Sequence, residues 1–251
     1  MDYTYLSDTV KIKKIEEDDR NGSFEIEGLF RGYGLTIGNA LRRTLLSSLP
    51  GAAITKFRVK GVGHEFTTIP GVVEDVIEIS LNLKNIRFIF NADGPQEVTL
   101  KVKGEKEVTA ADIKGDALVE VKNPDAHIAT ITDKSTELDI VFTVEKGLGY
   151  VPVESQKNDR LPVGTIAVDA IFSPVLNVNF QIEDMRVGER TDYNRIIMEI
   201  ETDGTVSPSS ALHKAANILI DHLNKVINIE VKESSEEKKA AKVAEKKEDK
   251  K

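Results

Sequence analysis

RGYGLTIGNALRRTLLSSLPG (residues 31–51) places two adjacent arginines, Arg42 and Arg43, in the middle of a run of helix-forming apolar residues. On a helix from about Thr36 to Leu49, the residues Ile37, Leu41, Leu45 and Leu49 recur every fourth position and define one face. At about 100° per residue, Arg43 lies roughly 200° around from Leu41 and points away from that face. Arg42 falls on the flank, and Leu46 lies beside the arginines. With Asn39 and the nearby Gly38 they make a mixed apolar, polar and cationic surface, a composition found at protein interfaces. The plainer reading is a solvated polar face.

Working outward, residues 9–30 read as a hairpin, with Asn21-Gly22 as its tight turn and Phe24, Ile26, Gly28 and Phe30 alternating onto one face. Pro50-Gly51 stops the helix. From Ala52 to about Val163 the chain becomes a series of short β-rich runs: ITKFRVKGV, IRFIFN, EVTLKVKG, ALVEVK, HIATIT and ELDIVFTVE. One helix interrupts them after Pro70-Gly71, with Val73, Val76, Ile77 and Ser80 at helical spacing and Glu74 and Asp75 in its first turn. Strands resume as TIAVDAIFSPV, VLNVNFQIEDMRV and NRIIMEIET. Ser207-Pro208 then opens a second long helix. Its stripe is Leu212, Ala215, Ala216, Leu219, Leu223 and Val226, and Ile218, Ile220 and Ile227 fall outside it. A helix apolar on two sides wants two partners, and its own sheet supplies one. The final KESSEEKKAAKVAEKKEDKK is too charged to bury itself and reads as a solvated linker or tail, residues 232–251. The expected class is α+β: a discontinuous domain of residues 1–51 and 164–231, two long helices on an antiparallel sheet, with a β-rich domain of residues 52–163 inserted in it.

Composition narrows the chemistry. The 251 residues contain no cysteine, which excludes disulfides, thiolate metal sites and thiol nucleophiles. No apolar run is long enough to span a bilayer, and the first residues carry no secretory h-region, so a soluble cytoplasmic protein is expected. The formal charge is -8, and the tail from Lys232 carries eight lysines and six acids, so the acidity sits in the body. That balance disfavours direct duplex binding. The glycines of Gly32-x-Gly34-x-x-x-Gly38 miss the dinucleotide fingerprint, because Ile37 stands where its third glycine belongs. HEFTT at His64 lacks the second histidine of a zincin, Thr68 taking its place. Asp169 sits inside an apolar strand, where an edge position or an ion pair with Lys or Arg accounts for it. No catalytic residue, metal site or cofactor is expected on this chain. A stand-alone enzyme and a free-standing nucleic-acid-binding protein remain the weaker readings.

The blocks RGYGLTIGNALRRTLLSSLPGAAIT, GVGHEFTTIPGVVEDVIEISLNLK, GYVPVE, VDAIFSPV and ERTDYNRIIMEIETDGTVSPSSAL strongly resemble the N-terminal assembly region of the α subunit of bacterial DNA-directed RNA polymerase. The likeness runs from about residue 5 to 231. Leu35 departs from the histidine that some members carry. The resemblance implies a noncatalytic scaffold within a nucleotidyltransferase complex, a homodimer that recruits the two catalytic subunits, β and β′. Carried over by motif, Asn39, Arg42, Arg43 and Leu46 would contact β, with Glu65 and Glu74 in a second block. Lys84, Val168 and Val175 would hold β′. The discontinuous domain becomes the dimerisation domain, its interface drawing on Ile37, Leu41, Leu45, Leu212, Ala216, Leu219, Leu223 and Val226. The family continues through a linker into a domain that binds promoter DNA. This sequence ends in the linker-like tail, which implies little or no direct DNA contact.

Overall fold

In the computed structural model, which describes residues 7–115, 118–156 and 162–229, the chain opens as a hairpin of β1 (Lys11–Glu17) and β2 (Asn21–Leu29). The tail expected at 232–251 lies outside the described residues. The turn is not the expected Asn21-Gly22 one. Asp18 accepts from the Arg20 and Asn21 amides at 2.7 and 2.6 Å and closes an Asx turn one step earlier. Gly22 stays inside β2, where a Cβ would stand 2.5 Å from Pro208 Cβ, so glycine serves a close approach there. Phe24 and Ile26 are buried as the alternation requires, whereas Phe30 lies past the strand end and is only half-buried.

Next comes α1 (Tyr33–Ser47), which starts earlier than Thr36 and is followed by β3 (Pro50–Val59). The second helix, α2 (Val76–Leu83), starts later than expected. Asp75 accepts from the Glu78 amide at 2.7 Å while Glu78 accepts from the Asp75 amide at 3.2 Å, a capping box that fixes the start. The buried residues are therefore Val76, Ile79 and Leu83, Val73 is exposed, and Glu74 precedes the helix.

The middle of the chain adds β4 (Phe88–Phe90), β5 (Gln96–Lys103), β6 (Lys106–Thr109), β7 (Ile113–Lys114), β8 (Val119–Val121), β9 (His127–Ile131), β10 (Glu137–Leu148) and β11 (Tyr150–Val151). TIAVDAIF makes two short strands instead of one, β12 (Thr165–Ala167) and β13 (Ala170–Ile171), parted where Asp169 turns to an ion pair with Lys84. An antiparallel five-stranded sheet runs β12-β3-β10-β5-β7, with the two-stranded ladders β4-β8, β6-β9 and β11-β13 beside it. Its core holds Phe57, Ile79, Leu100, Ile128, Ile140 and Phe142.

The chain finishes with β14 (Val175–Val187), β15 (Arg190–Thr202) and α3 (Pro208–Ile227). These return to the start of the sequence, giving a four-stranded antiparallel sheet of order β1-β2-β15-β14. Ile26 pairs with Ile196 and Phe24 with Met198. One sheet face carries Phe24, Val178, Ile196, Met198 and Ile200 into a second core closed by Leu41 and Leu45 of α1 and Ala211, Leu212 and Ala215 of α3. Each such Leu or Ile is worth about 1.5–3 kcal/mol of burial. The two cores meet where the Arg87 guanidinium approaches the Asp203 carboxylate at 3.7 Å.

Candidate docking surface

α1 is fixed to the four-stranded sheet along its length. The helix has no side-chain cap of its own, since Gly32 stands at the N-cap position. The Asn194 carboxamide oxygen on β15 accepts from the Gly32 and Gly34 amides at 2.9 and 3.4 Å. Midway, Gly38 lies on the Phe180 ring so closely that a Cβ would stand 2.8 Å from it. Arg42 Nε donates to the Val178 carbonyl of β14 at 3.1 Å. At the far end the Ser173 hydroxyl is 3.2 Å from the Leu46 carbonyl oxygen.

These anchors split the arginine pair. Arg42 is exposed but fastened to its own sheet, whereas the Arg43 guanidinium makes no hydrogen bond or ion pair among the described residues. Asn39 is exposed and Leu46 half-buried beside it. Leu35, 57% exposed, joins the same strip at positions 35, 39, 42 and 46, all within about 60° on the helix. Periodicity placed Leu41 and Leu45 correctly on the buried face, but passed over Leu35 because the helix was begun too late.

The second block lies against α2. Glu65 and Phe66 are exposed, Phe66 by 76%, and with Ile77, Leu81 and Lys84 they line an open groove of about 500 Å³. His64 shares a 3.1 Å hydrogen bond with Thr67. Glu74 faces elsewhere. Its carboxylate accepts from the Thr130 amide at 2.6 Å, the Thr130 hydroxyl at 3.1 Å and the His127 Nε2 position at 2.9 Å. Burial pushes the Glu74 carboxyl upward, but the Thr130 and His127 hydrogen bonds outweigh it and hold it below the usual carboxylate range. Glu74 braces β9.

Lys84 pairs with Asp169 at 2.9 Å, and Asp169 also accepts from the Val153 amide at 3.0 Å. The Lys84 ammonium, followed by that amide, lowers the Asp169 carboxyl from its ordinary value. Val168 and Val175, grouped with Lys84 by resemblance, are buried in the two cores and leave about 1% and 4% of their surface open.

α3 changes character halfway. Ala211, Leu212 and Ala215 are buried, Ala216, Ile218 and Leu219 partly so, and everything from Ile220 to Ile229 is exposed. The exposed half includes Ile220, Leu223, Val226 and Ile227, open by 53, 61, 66 and 74%. Of the residues expected at a dimer seam, Leu41, Leu45 and Leu212 are used inside the protomer, Ile37, Ala216 and Leu219 lie at its margin, and Leu223 and Val226 stand free. Ile220 and Ile227 belong with the free group. Their signal was the second apolar side of the helix.

Residues 55–173 match the family described as the RNA polymerase Rpb3/RpoA insert domain. The chain is 50% identical over 215 residues to the DNA-directed RNA polymerase subunit alpha of Symbiobacterium thermophilum, covering 86% of this chain and 68% of that one. It is 44% identical over 243 residues to the namesake subunit of Alkaliphilus oremlandii, with 94% and 76% covered. It is 49% identical over 219 residues to that of Carboxydothermus hydrogenoformans, with 87% and 70% covered.

Proposed function

From the premise that this chain belongs to the DNA-directed RNA polymerase α-subunit family, we propose that it is the scaffold of such an enzyme, pairing with a second copy of itself and holding the β and β′ catalytic subunits. Nucleotidyl transfer then takes place on those subunits, in the cytoplasm, and this chain supplies position, with no catalytic residue or cofactor of its own. Residues 1–51 and 164–231 act as the dimerising unit, and residues 52–163 form the inserted one.

The observation that carries this reading is the free half of α3. Ten consecutive residues, Ile220–Ile229, lie open along the second half of α3 and just past its end, whereas the first half buries Ala211, Leu212 and Ala215, and five of the ten are large and apolar. Ile220, Leu223 and Ile227 fall within about 60° of one another on the helix. A second copy presenting the same stripe covers it isologously. Sizing tests this directly: the chain should run as a dimer at micromolar concentration, and Leu223→Asp with Ile227→Asp as a monomer of unchanged helicity. A wild-type monomer under those conditions contradicts the proposal.

The outward strip of α1 is the surface for β, with Arg43 as its cation, Asn39, Leu46 and Leu35 around it, and Arg42 as its fastening. The groove beside Glu65 and Phe66 serves as the second contact. Lys84, half-buried and held by Asp169, is the member of the β′ group with surface still open. Arg43→Ala should cut capture of β by about thirtyfold or more while leaving the dimer intact, because a central arginine at an interface is a frequent hot spot.

A further inference from the structure

The α1 strip works only if the helix is held at one rotation, and the anchor at its first turn is a residue 160 positions away. Asn194 is buried to 8% of its surface between β15 and the first turn of α1. Its oxygen takes the Gly32 and Gly34 amides, two of the donors that a helix start leaves without intrahelical partners. Its nitrogen donates to the Asp184 carboxylate at 3.1 Å, which fixes which end of the carboxamide faces the helix, since a carboxylate only accepts. The approach is close: a Cβ on Gly34 would stand 2.9 Å from Asn194 Cβ and 3.1 Å from Ile182 Cγ2. Helix, carboxamide and carboxylate thus form a chain of contacts from β14 through β15 to the amides of α1.

We propose that Asn194 is the positioning residue of the docking helix, setting the rotation of α1 and thereby the direction in which Arg43 leaves it. This rests on the reading of Arg43 as the docking cation. A helix turned by one residue swings its side chains by about 100°, so even a fraction of that turn moves the guanidinium by several ångströms.

The test uses the full chain as Asn194→Ala, Arg43→Ala and the double variant, each measured for capture by the β subunit and for amide exchange along α1. Asn194→Ala should weaken capture roughly fivefold, the scale of a lost helix cap, and speed exchange at the start of α1 while β10 stays protected. Asn194→Asp keeps the acceptor but sets a second carboxylate against Asp184, so it should restore most of the binding only when Asp184→Asn supplies the lost donor. In the Arg43→Ala background the Asn194 change should add little, because the two act through one contact. Effects that multiply independently, or wild-type binding by Asn194→Ala when Arg43→Ala has lost it, overturn the positioning role alone. Wild-type binding by Arg43→Ala overturns the docking reading instead. Should Asn194→Ala not fold, Gly34→Ala takes its place: it pushes the first turn off β15 with the cap still present, and unchanged capture counts against the proposal.

Discussion

Glu17 shows how one carboxylate can join distant parts of a chain. It stands at the end of β1 and accepts from the Ser209 amide at 2.8 Å, in the first turn of α3, with Lys14 Nζ 2.9 Å away. Ser209, by side chain and amide, lowers the Glu17 carboxyl to about 2, and Lys14 adds to it. The folded value lies below the ordinary 4.5, so this contribution is complete above about pH 4.5 and is lost as the pH falls toward 2. Glu17→Ala should lower stability by about 1 kcal/mol at neutral pH, and its melting curve should converge on the wild-type one across that acidic window. A gap that stays constant from pH 7 to 2.5 would show that the charge plays no part. A second residue test concerns Glu74. Glu74→Gln should destabilise β9 measurably but leave β capture near wild-type, since the carboxylate faces Thr130 and His127.

At the level of elements, α1 depends on small residues as much as on large ones. Gly38→Ala forces a methyl into the Phe180 ring and should cost about 1–3 kcal/mol, weakening β capture more than dimer formation. Calorimetry and pull-down on the same sample separate the two effects. The elements themselves were largely readable from the sequence. Period-two runs located β3, β5, β10, β14 and β15, Ser207-Pro208 marked the start of α3, and spacing put Leu41 and Leu45 inward. What escaped was decided by partners remote in sequence. Gly22 looked like a turn residue because the requirement of Pro208 for space is invisible locally, and α1 looked shorter because its cap, Asn194, arrives from β15. The docking strip was legible in outline, and its division was not: the tie from Arg42 to Val178 exists only once β14 lies beneath α1.

Across the whole molecule, the Arg87–Asp203 pair, with side chains 15% and 7% exposed, links the segment that carries Ile86 and Phe88 of one core to the end of β15, which carries Ile200 of the other. Arg87→Ala removes one partner and leaves the Asp203 charge at the joint, so it should let the two cores unfold as separate calorimetric transitions. A single unchanged transition would show that the joint is held by other contacts.

The pairing of β2 with β15 also sets a clock. Residues 24 and 198 are neighbours in the finished sheet, so the apolar side of the first hairpin stays uncovered while the intervening chain is made. At about 5–20 residues per second on the ribosome, that wait is on the order of ten to thirty seconds. During it the nascent chain presents Phe24, Ile26, Leu41 and Leu45 with nothing to close over them, even as the middle sheet completes itself. Chains stalled short of Val175 should therefore recruit holdase chaperones, and chains released with α3 in place should shed them.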